Sequence, residues 1–289
     1  MARTPRPAAP QGVKVIVNLA PTGVVPTRAL TPHVPLGVRE VVADVASCVR
    51  RGANLVHLHA RDARGRPTWR REVYAQLIGG IREQFPELPL CVSLSGRVGT
   101  SLRERADVLR LTGDLAPDLA SLTLGSMNFA REASVNGPET IRRLAECLAE
   151  RGIKPELEIF DLGMVNYANY LVDRGLLAPP HYFNVLLGNV SSAQATPAHL
   201  GQMIAGLPAG SVWTGAGFGE HQLPMNVLGL LYGHGARVGL EDTLWLDAGR
   251  RTLATNEILV ERVAGLAATF GRRVASPAEV RAILGLPPR

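Results

Sequence analysis

The 289-residue chain reads as an α/β protein, a single (β/α)8 TIM barrel with a short extra C-terminal helix. Three observations predict it. Short apolar runs alternate with amphipathic stretches eight times. The crossovers between the runs have the length that parallel strands require. No break in composition divides the chain, so one catalytic domain covers 13–289, behind a Pro/Arg-rich tail over 1–12 that is expected to be flexible.

The elements follow in order. "VKVIVNLA" (13–20) is the first strand, and 37–52 is a helix that stops at Gly52, as helices often stop at glycine. "NLVHLH" (54–59) is the second strand, followed by a helix over 71–85. "LPLCVSLS" (88–95) and a helix over 101–113 form the third unit, and "PDLASLTLG" (117–125) with 138–152 the fourth. "KPELEIF" (154–160) pairs with a helix at 163–175, and "HYFNVLLG" (181–188) with one at 196–207. "SVWTGAG" (211–217) precedes a helix at 224–235, and "ARVGLED" (236–242) precedes one at 256–271. The closing "SPAEVRAILGL" (276–286) is the extra helix. A doubly wound open sheet is the competing architecture, but it calls for G-x-G-x-x-G after the first strand, where "LAPTGVVPT" stands. "GAGFG" (215–219) follows the seventh strand; it is either a phosphate-holding loop or a tight glycine turn.

Composition removes several classes of function. The net charge of +6 comes almost wholly from arginine, since Lys14 and Lys154 are the only lysines. No basic run exceeds three residues and aromatics are 5%, which speaks against nucleic-acid binding and suits a small anionic substrate or phosphorylated cofactor. Cys48, Cys91 and Cys147 are odd in number and lack C-x-x-C spacing, so disulfide frameworks and zinc ribbons are not expected and ordinary packing is. The N-terminal stretch has no apolar signal region and no long apolar run spans a membrane, so the chain is expected to be cytoplasmic.

In such a barrel, catalytic groups sit at the downstream ends of strands. His57 and His59, two apart, face one side of the second strand at that end, where they can chelate one divalent cation. The end of the eighth strand, a neighbour once the ring closes, carries Arg237, Glu241 and Asp242. Glu241 can complete a two-histidine, one-glutamate set with a position left open; otherwise the acidic pair caps a helix. Ser93, Ser95, Ser121 and Thr123 offer hydroxyls for a carboxylate clamp. Glu156 and Glu158 share one face of the fifth strand; inward carboxylates need partners, so they are expected to bridge to arginines or orient the histidines. Neither lysine ends a strand, which leaves Schiff-base chemistry unsupported and assigns carbonyl polarisation to a metal.

These motifs resemble the β-keto acid cleavage enzyme family. The resemblance runs from about 13 to 287 and rests on "APTG", "GANLVHLHARDARGRP", "SLSGRVG", "LTLGSMNF", "KPELEIFDLGMV", "GHGARVGLEDTLWL", "TNEILVERV" and "ASPAEVRAILGL". It implies a zinc-dependent barrel, usually a homotetramer, that converts a β-keto acid and acetyl-CoA to acetoacetate and a new acyl-CoA. It implies His57, His59 and Glu241 as metal ligands, with Zn2+ or another divalent metal. It implies Asp242, supported by Arg237, as the base at C2, and Ser93, Ser121 and Glu158 at the substrate; Ser121 stands where the family has threonine. One departure bears on the substrate. The 3-keto-5-aminohexanoate-cleaving member of the family carries a glutamate for the substrate's ammonium shortly after "TG", and here the aligned residue is Val25. A buried ammonium without its counter-ion costs several kcal/mol. The expected tail is therefore uncharged, or carries a charge that Arg28 or Arg97 meets. A zinc hydrolase of the amidohydrolase type and a non-catalytic binding barrel are the other readings; the first calls for histidines at the ends of strands five and six, whereas His181 opens strand six.

Overall fold

A computed structural model of the chain describes residues 14–99 and 101–289, so the expected tail at 1–12 lies outside the described residues. Eight parallel strands close on themselves: β1 (Ile16–Leu19), β2 (Leu55–Leu58), β3 (Leu90–Val92), β4 (Leu119–Thr123), β5 (Lys154–Ile159), β6 (Tyr182–Leu187), β7 (Val212–Gly217) and β8 (Gly235–Val238). Each strand pairs with its neighbours in sequence, and β1 pairs with β8 through Ile16↔Gly235 to Leu19↔Val238. The helices are α1 (Val38–Arg50), α2 (Arg71–Arg82), α3 (Leu102–Arg105), α4 (Pro138–Glu150), α5 (Leu162–Asp173), α6 (Pro197–Ala205), α7 (Gln222–Tyr232), α8 (Asn256–Thr269) and α9 (Pro277–Leu284).

Alternation along the strands sorts residues between two cores. Val56 and Leu58 of β2 face outward into the large cluster between strands and helices. Leu55 faces inward, with Ile16, Cys91, Leu119, Tyr182 and Val212, and meets Val280 and Leu284 of α9. The extra C-terminal helix therefore seals the floor of the barrel with apolar side chains. Asp118 fastens it there: its carboxylate accepts from Leu90 N (3.0 Å), Arg82 (3.0 Å) and Arg281 of α9 (2.9 Å). Four donors, Arg289 included, surround this one buried carboxylate and hold its pKa below the usual range against the effect of burial.

The third unit departs from its expected form. The helix expected over 101–113 is one turn, α3, followed by 3-10 turns at Asp107–Arg110 and Gly113–Leu115. Arg105 is the reason: it is buried and donates to Leu94 O (2.8 Å) and Asn136 Oδ1 (2.8 Å), tying the segment to the strand-three and strand-four loops. The seventh helix starts at Gln222 and stops at Tyr232, because the backbone from Gly235 is already strand. Two short hairpins, Ala60–Arg61 with Pro67–Thr68 and Met127–Asn128 with Ala133–Ser134, follow β2 and β4.

Closure of the ring leaves no room for a side chain at Gly235. Its φ is +153°, and a Cβ there would lie 1.9 Å from Ile16 O on β1. Gly235→Ala is therefore expected to destabilise the fold by about 3 kcal/mol, read as a lowered thermal midpoint. An unchanged midpoint would contradict this account of the seam.

Candidate active site

The downstream rim of the barrel surrounds a cavity of about 400 Å3. His57 lies near the end of β2 with its ring inside, 1% exposed, and His59 follows the strand at 6%. Their Nε2 atoms face each other at 3.3 Å, and His59 Nε2 lies 3.2 Å from Glu241 Oε1. One atom from each of His57, His59 and Glu241 comes within 4.8 Å of the others. Gly23 of the "APTG" loop packs directly on Glu241: a Cβ there would stand 2.5 Å from Glu241 Cγ, and its φ is +61°.

Arg237 holds the acidic side of the site. It is 2% exposed and donates through Nε to Asp242 Oδ2 (3.0 Å) and through Nη2 to Asp242 Oδ1 (3.2 Å) and Glu241 Oε1 (2.7 Å). Its Nη1 donates to Glu158 Oε1 (3.1 Å), whose other oxygen accepts from Thr123 Oγ1 (2.7 Å). Burial disfavours every charge here. Against that effect, Arg237 and the two histidines hold Glu241 well below the usual carboxylate range. Asp242 moves the other way: burial, with Glu241 adding, pushes its carboxyl up despite Arg237.

Beneath the rim, Glu156 is fully buried and satisfied. Its Oε2 meets His57 Nδ1 at 2.5 Å and accepts from Cys91 Sγ (3.2 Å), and its Oε1 accepts from Asn18 Nδ2 (2.7 Å). Burial works against a charged His57, yet the Glu156 carboxylate carries its pKa above the usual value. The expected role of Glu156 in orienting a histidine thus has its geometry, and Cys91 does more than pack. His57, Cys91 and Glu156 also lie close enough to hold an ion. Burial and Glu156 push the Cys91 thiol far up, and its Sγ donates to Glu156 Oε2 (3.2 Å).

The trio at the rim fits a divalent cation by two observations. One guanidinium faces three carboxylates, Glu158, Glu241 and Asp242, leaving an excess of negative charge. Glu241 Oε2 is buried without a partner among the described residues. Two imidazoles with facing Nε2 atoms and an unused carboxylate oxygen are the donor set of an open zinc site. His57 already has the carboxylate behind its other nitrogen that such ligands usually have.

The remaining expected residues divide. Ser93 and Val25 line the cavity, as do Ser95, Thr123 and Glu158. Ser121 lies one layer below Thr123, 3% exposed, and its Oγ accepts from Leu94 N (3.1 Å). Val25 is 54% exposed, on the rim rather than the floor, so an ammonium opposite it keeps part of its water. Arg28 pairs with Glu40 and donates to Pro32 O, outside the cavity, whereas Arg97 lines it. Arg61 and Asp62 fix the loops: Arg61 donates to Gly23 O (2.6 Å) and Pro26 O (3.0 Å), and Asp62 accepts from Arg64 N and Arg66 N. Glu241 and Asp242 do not cap α8, whose cap is Thr255. In the "GAGFG" loop, Phe218 N donates to Leu187 O (3.2 Å) and Gly219 N to Asp242 O (2.8 Å), so both amides are engaged within the chain.

Sequence reading missed Asn256 and the aromatic wall. Asn256, fully buried at the start of α8, accepts from Leu240 N (2.8 Å) and donates to Pro21 O (3.0 Å) and Asp44 Oδ2 (2.8 Å), holding both loops that meet at Glu241. Phe129, Phe160 and Phe218 line the cavity from three separate loops. The signal for Asn256 was its place at a helix start; the wall had no local signal.

The family model described as beta-keto acid cleavage enzyme matches residues 14–286. A 3-keto-5-aminohexanoate cleavage enzyme of Fusobacterium nucleatum is 39% identical over 94% of this chain and 98% of its own. A 3-oxoadipate:acetyl-CoA acetyltransferase of Cupriavidus necator is 36% identical over 94% and 95%. The solved apo structure of ObcA superposes with a TM-score of 0.78 at 21% identity, over 88% of this chain and 66% of that one, which bears on the fold alone.

His57→Ala and Glu241→Ala are expected to abolish stoichiometric binding of a divalent metal, and Glu156→Gln to weaken it by about 10–100-fold. Competition against a chromophoric chelator measures each. Full metal affinity in Glu241→Ala would refute the assigned ligand set.

Proposed function

The chain belongs to the β-keto acid cleavage enzyme family, and from that premise we propose that it exchanges acyl groups between a β-keto acid and acetyl-CoA. The products are acetoacetate and a new acyl-CoA, and a divalent metal, zinc, is held by His57, His59 and Glu241. One observation carries the reading: the bidentate Arg237–Asp242 pair stands beside the His57–His59–Glu241 trio, and Arg237, Asp242, His59 and Glu241 line one cavity. The names of the relatives support the same chemistry, since one is a transferase between 3-oxoadipate and acetyl-CoA.

When bound, a divalent cation supplies Lewis-acid polarisation of the 3-keto carbonyl. The residues of the chain do the rest. Ser93 holds the substrate carboxylate, and Ser121 steadies the loop after β3 from the layer below by accepting from Leu94 N. Asp242, oriented by Arg237, removes a proton from C2. The C2 carbanion attacks the acetyl carbonyl carbon of the thioester, a C–C bond forms and CoA leaves as thiolate. The thiolate then attacks the substrate's original C3 carbonyl. The C2–C3 bond breaks, C2 takes back the proton from Asp242, and acetoacetate departs beside the new acyl-CoA. Glu158 keeps Arg237 from swinging away, through its ion pair and its hydrogen bond from Thr123.

The zinc-hydrolase alternative is not favoured, because His181 lies ahead of β6 (Tyr182–Leu187), at the opposite end of the barrel from the trio. Among the described residues no helix is long and apolar enough to cross a membrane. The reading includes cytoplasmic action as a homotetramer, and small-angle scattering in solution tests the assembly.

Acetyl-CoA-dependent acetoacetate formation across neutral, acidic and cationic β-keto acids tests the reaction. Turnover is expected with tails that carry no amine. Val25→Glu is expected to raise kcat/KM for 5-amino-3-oxohexanoate relative to a neutral analogue by about tenfold. Absence of acetoacetate with every acid would sink the reaction. A wild-type preference for the amino acid substrate would sink the argument from Val25.

A further inference from the structure

Resting on the acyl-exchange reading above, we propose that the acyl tail of the substrate ends in a carboxylate and that Arg97 receives it. The preferred substrates are then β-keto dicarboxylic acids.

Arg97 lines the same cavity as His59, Asp242 and Val25, and its side chain is only 13% exposed. Its guanidinium lies over the Phe129 ring, 4.4 Å from the centroid. Phe129 in turn stands edge-on to Phe160 (6.4 Å, 87°) and Phe218 (6.2 Å, 85°), which stack on each other (6.0 Å, 13°). The guanidinium is thus already held over an aromatic ring, so little freedom is lost when it binds.

Its counter-ion is replaceable. Arg97 Nε donates to Glu132 Oε1 (2.7 Å), but Glu132 is 52% exposed, in the turn of the hairpin that carries Phe129. An ion pair with so exposed a partner contributes about 0–1 kcal/mol. A tail carboxylate that enters the cavity meets the same cation with less competing water, and the fork has further donors to offer it.

The rest of the wall leaves no place for the opposite charge. The carboxylates that line the cavity are Glu158, Glu241 and Asp242, and all three are engaged by Arg237. Position 25 supplies valine. Around the tail the described residues therefore offer aromatic faces, aliphatic groups and cations: Arg97 beside the aromatic wall, and Arg250 on the loop after β8.

Steady-state kinetics on 3-oxoadipate and 3-oxohexanoate, which differ in a terminal carboxylate against a methyl, test the proposal with the full-length, metal-loaded protein. Wild type is expected to prefer 3-oxoadipate in kcat/KM by tenfold or more. Arg97→Ala is expected to lose about 100-fold on 3-oxoadipate, chiefly through KM, and less than about threefold on 3-oxohexanoate. Arg97→Lys, which keeps the charge without the fork, is expected to fall between and guards against misfolding of the alanine variant. Equal losses on both substrates would assign Arg97 to the carboxylate that all β-keto acids share, or to CoA, and overturn the proposal. Wild-type preference for 3-oxohexanoate would overturn it while leaving the acyl exchange standing. Turnover of neither acid, nor of any other β-keto acid, would overturn both.

Discussion

The site depends on one buried guanidinium. Arg237 is drawn out of water into a ring of three carboxylates from two strand ends, and no single partner satisfies it. A buried charge of this kind is tolerated only when its hydrogen bonds are complete. Completing them fixes Glu241 toward His59 and Asp242 toward the cavity. Around Arg237 the same arrangement leaves more negative than positive charge, and that surplus is what a divalent cation between two imidazoles would neutralise. The proposed acid–base group and the proposed metal ligands are thus set by a common constraint.

The barrel supplies that constraint with a graded interior. Ile16, Leu55, Leu119, Tyr182 and Val212 form an apolar floor resting on α9 (Pro277–Leu284). Above them Asn18, Glu156, Asn184 and Thr214 form a buried polar layer, in which Glu156 steadies His57 from behind. The charged rim comes last. Each layer advances by two residues along its strands, as with Leu55, His57 and His59, so the period of the strand sets the gradient from oil to charge. Because the ring closes β8 (Gly235–Val238) onto β1 (Ile16–Leu19) and β1 onto β2 (Leu55–Leu58), the Glu241 side chain reaches those of His57 and His59.

Much of this was legible in the sequence because it is periodic or local. Two histidines at a spacing of two, an acidic pair at the last strand end and eight repeated units point to the barrel and to the trio without any knowledge of contacts. What escaped is non-local. The wall of Phe129, Phe160 and Phe218 assembles from three loops far apart in the chain, and nothing around any one of them announces it. The third helix broke because Arg105 is drawn inward by Leu94 O and Asn136, partners that helical spacing cannot reveal. Arg28 and Arg97 looked equivalent as sequence; only the fold turns Arg28 to Glu40 and the surface and brings Arg97 into the cavity. Val25 was expected to face a buried group, and it stands instead on an open rim.

The central claim is that the C2 carbon of the keto acid bonds to the acetyl group while CoA moves to the other acyl group. Mass spectrometry after turnover with acetyl-CoA carrying carbon-13 in both acetyl carbons tests it most directly. The account predicts that both labelled carbons appear in acetoacetate, at C3 and C4, and that the new acyl-CoA is unlabelled. Unlabelled acetoacetate, or label in the new acyl-CoA, would contradict it.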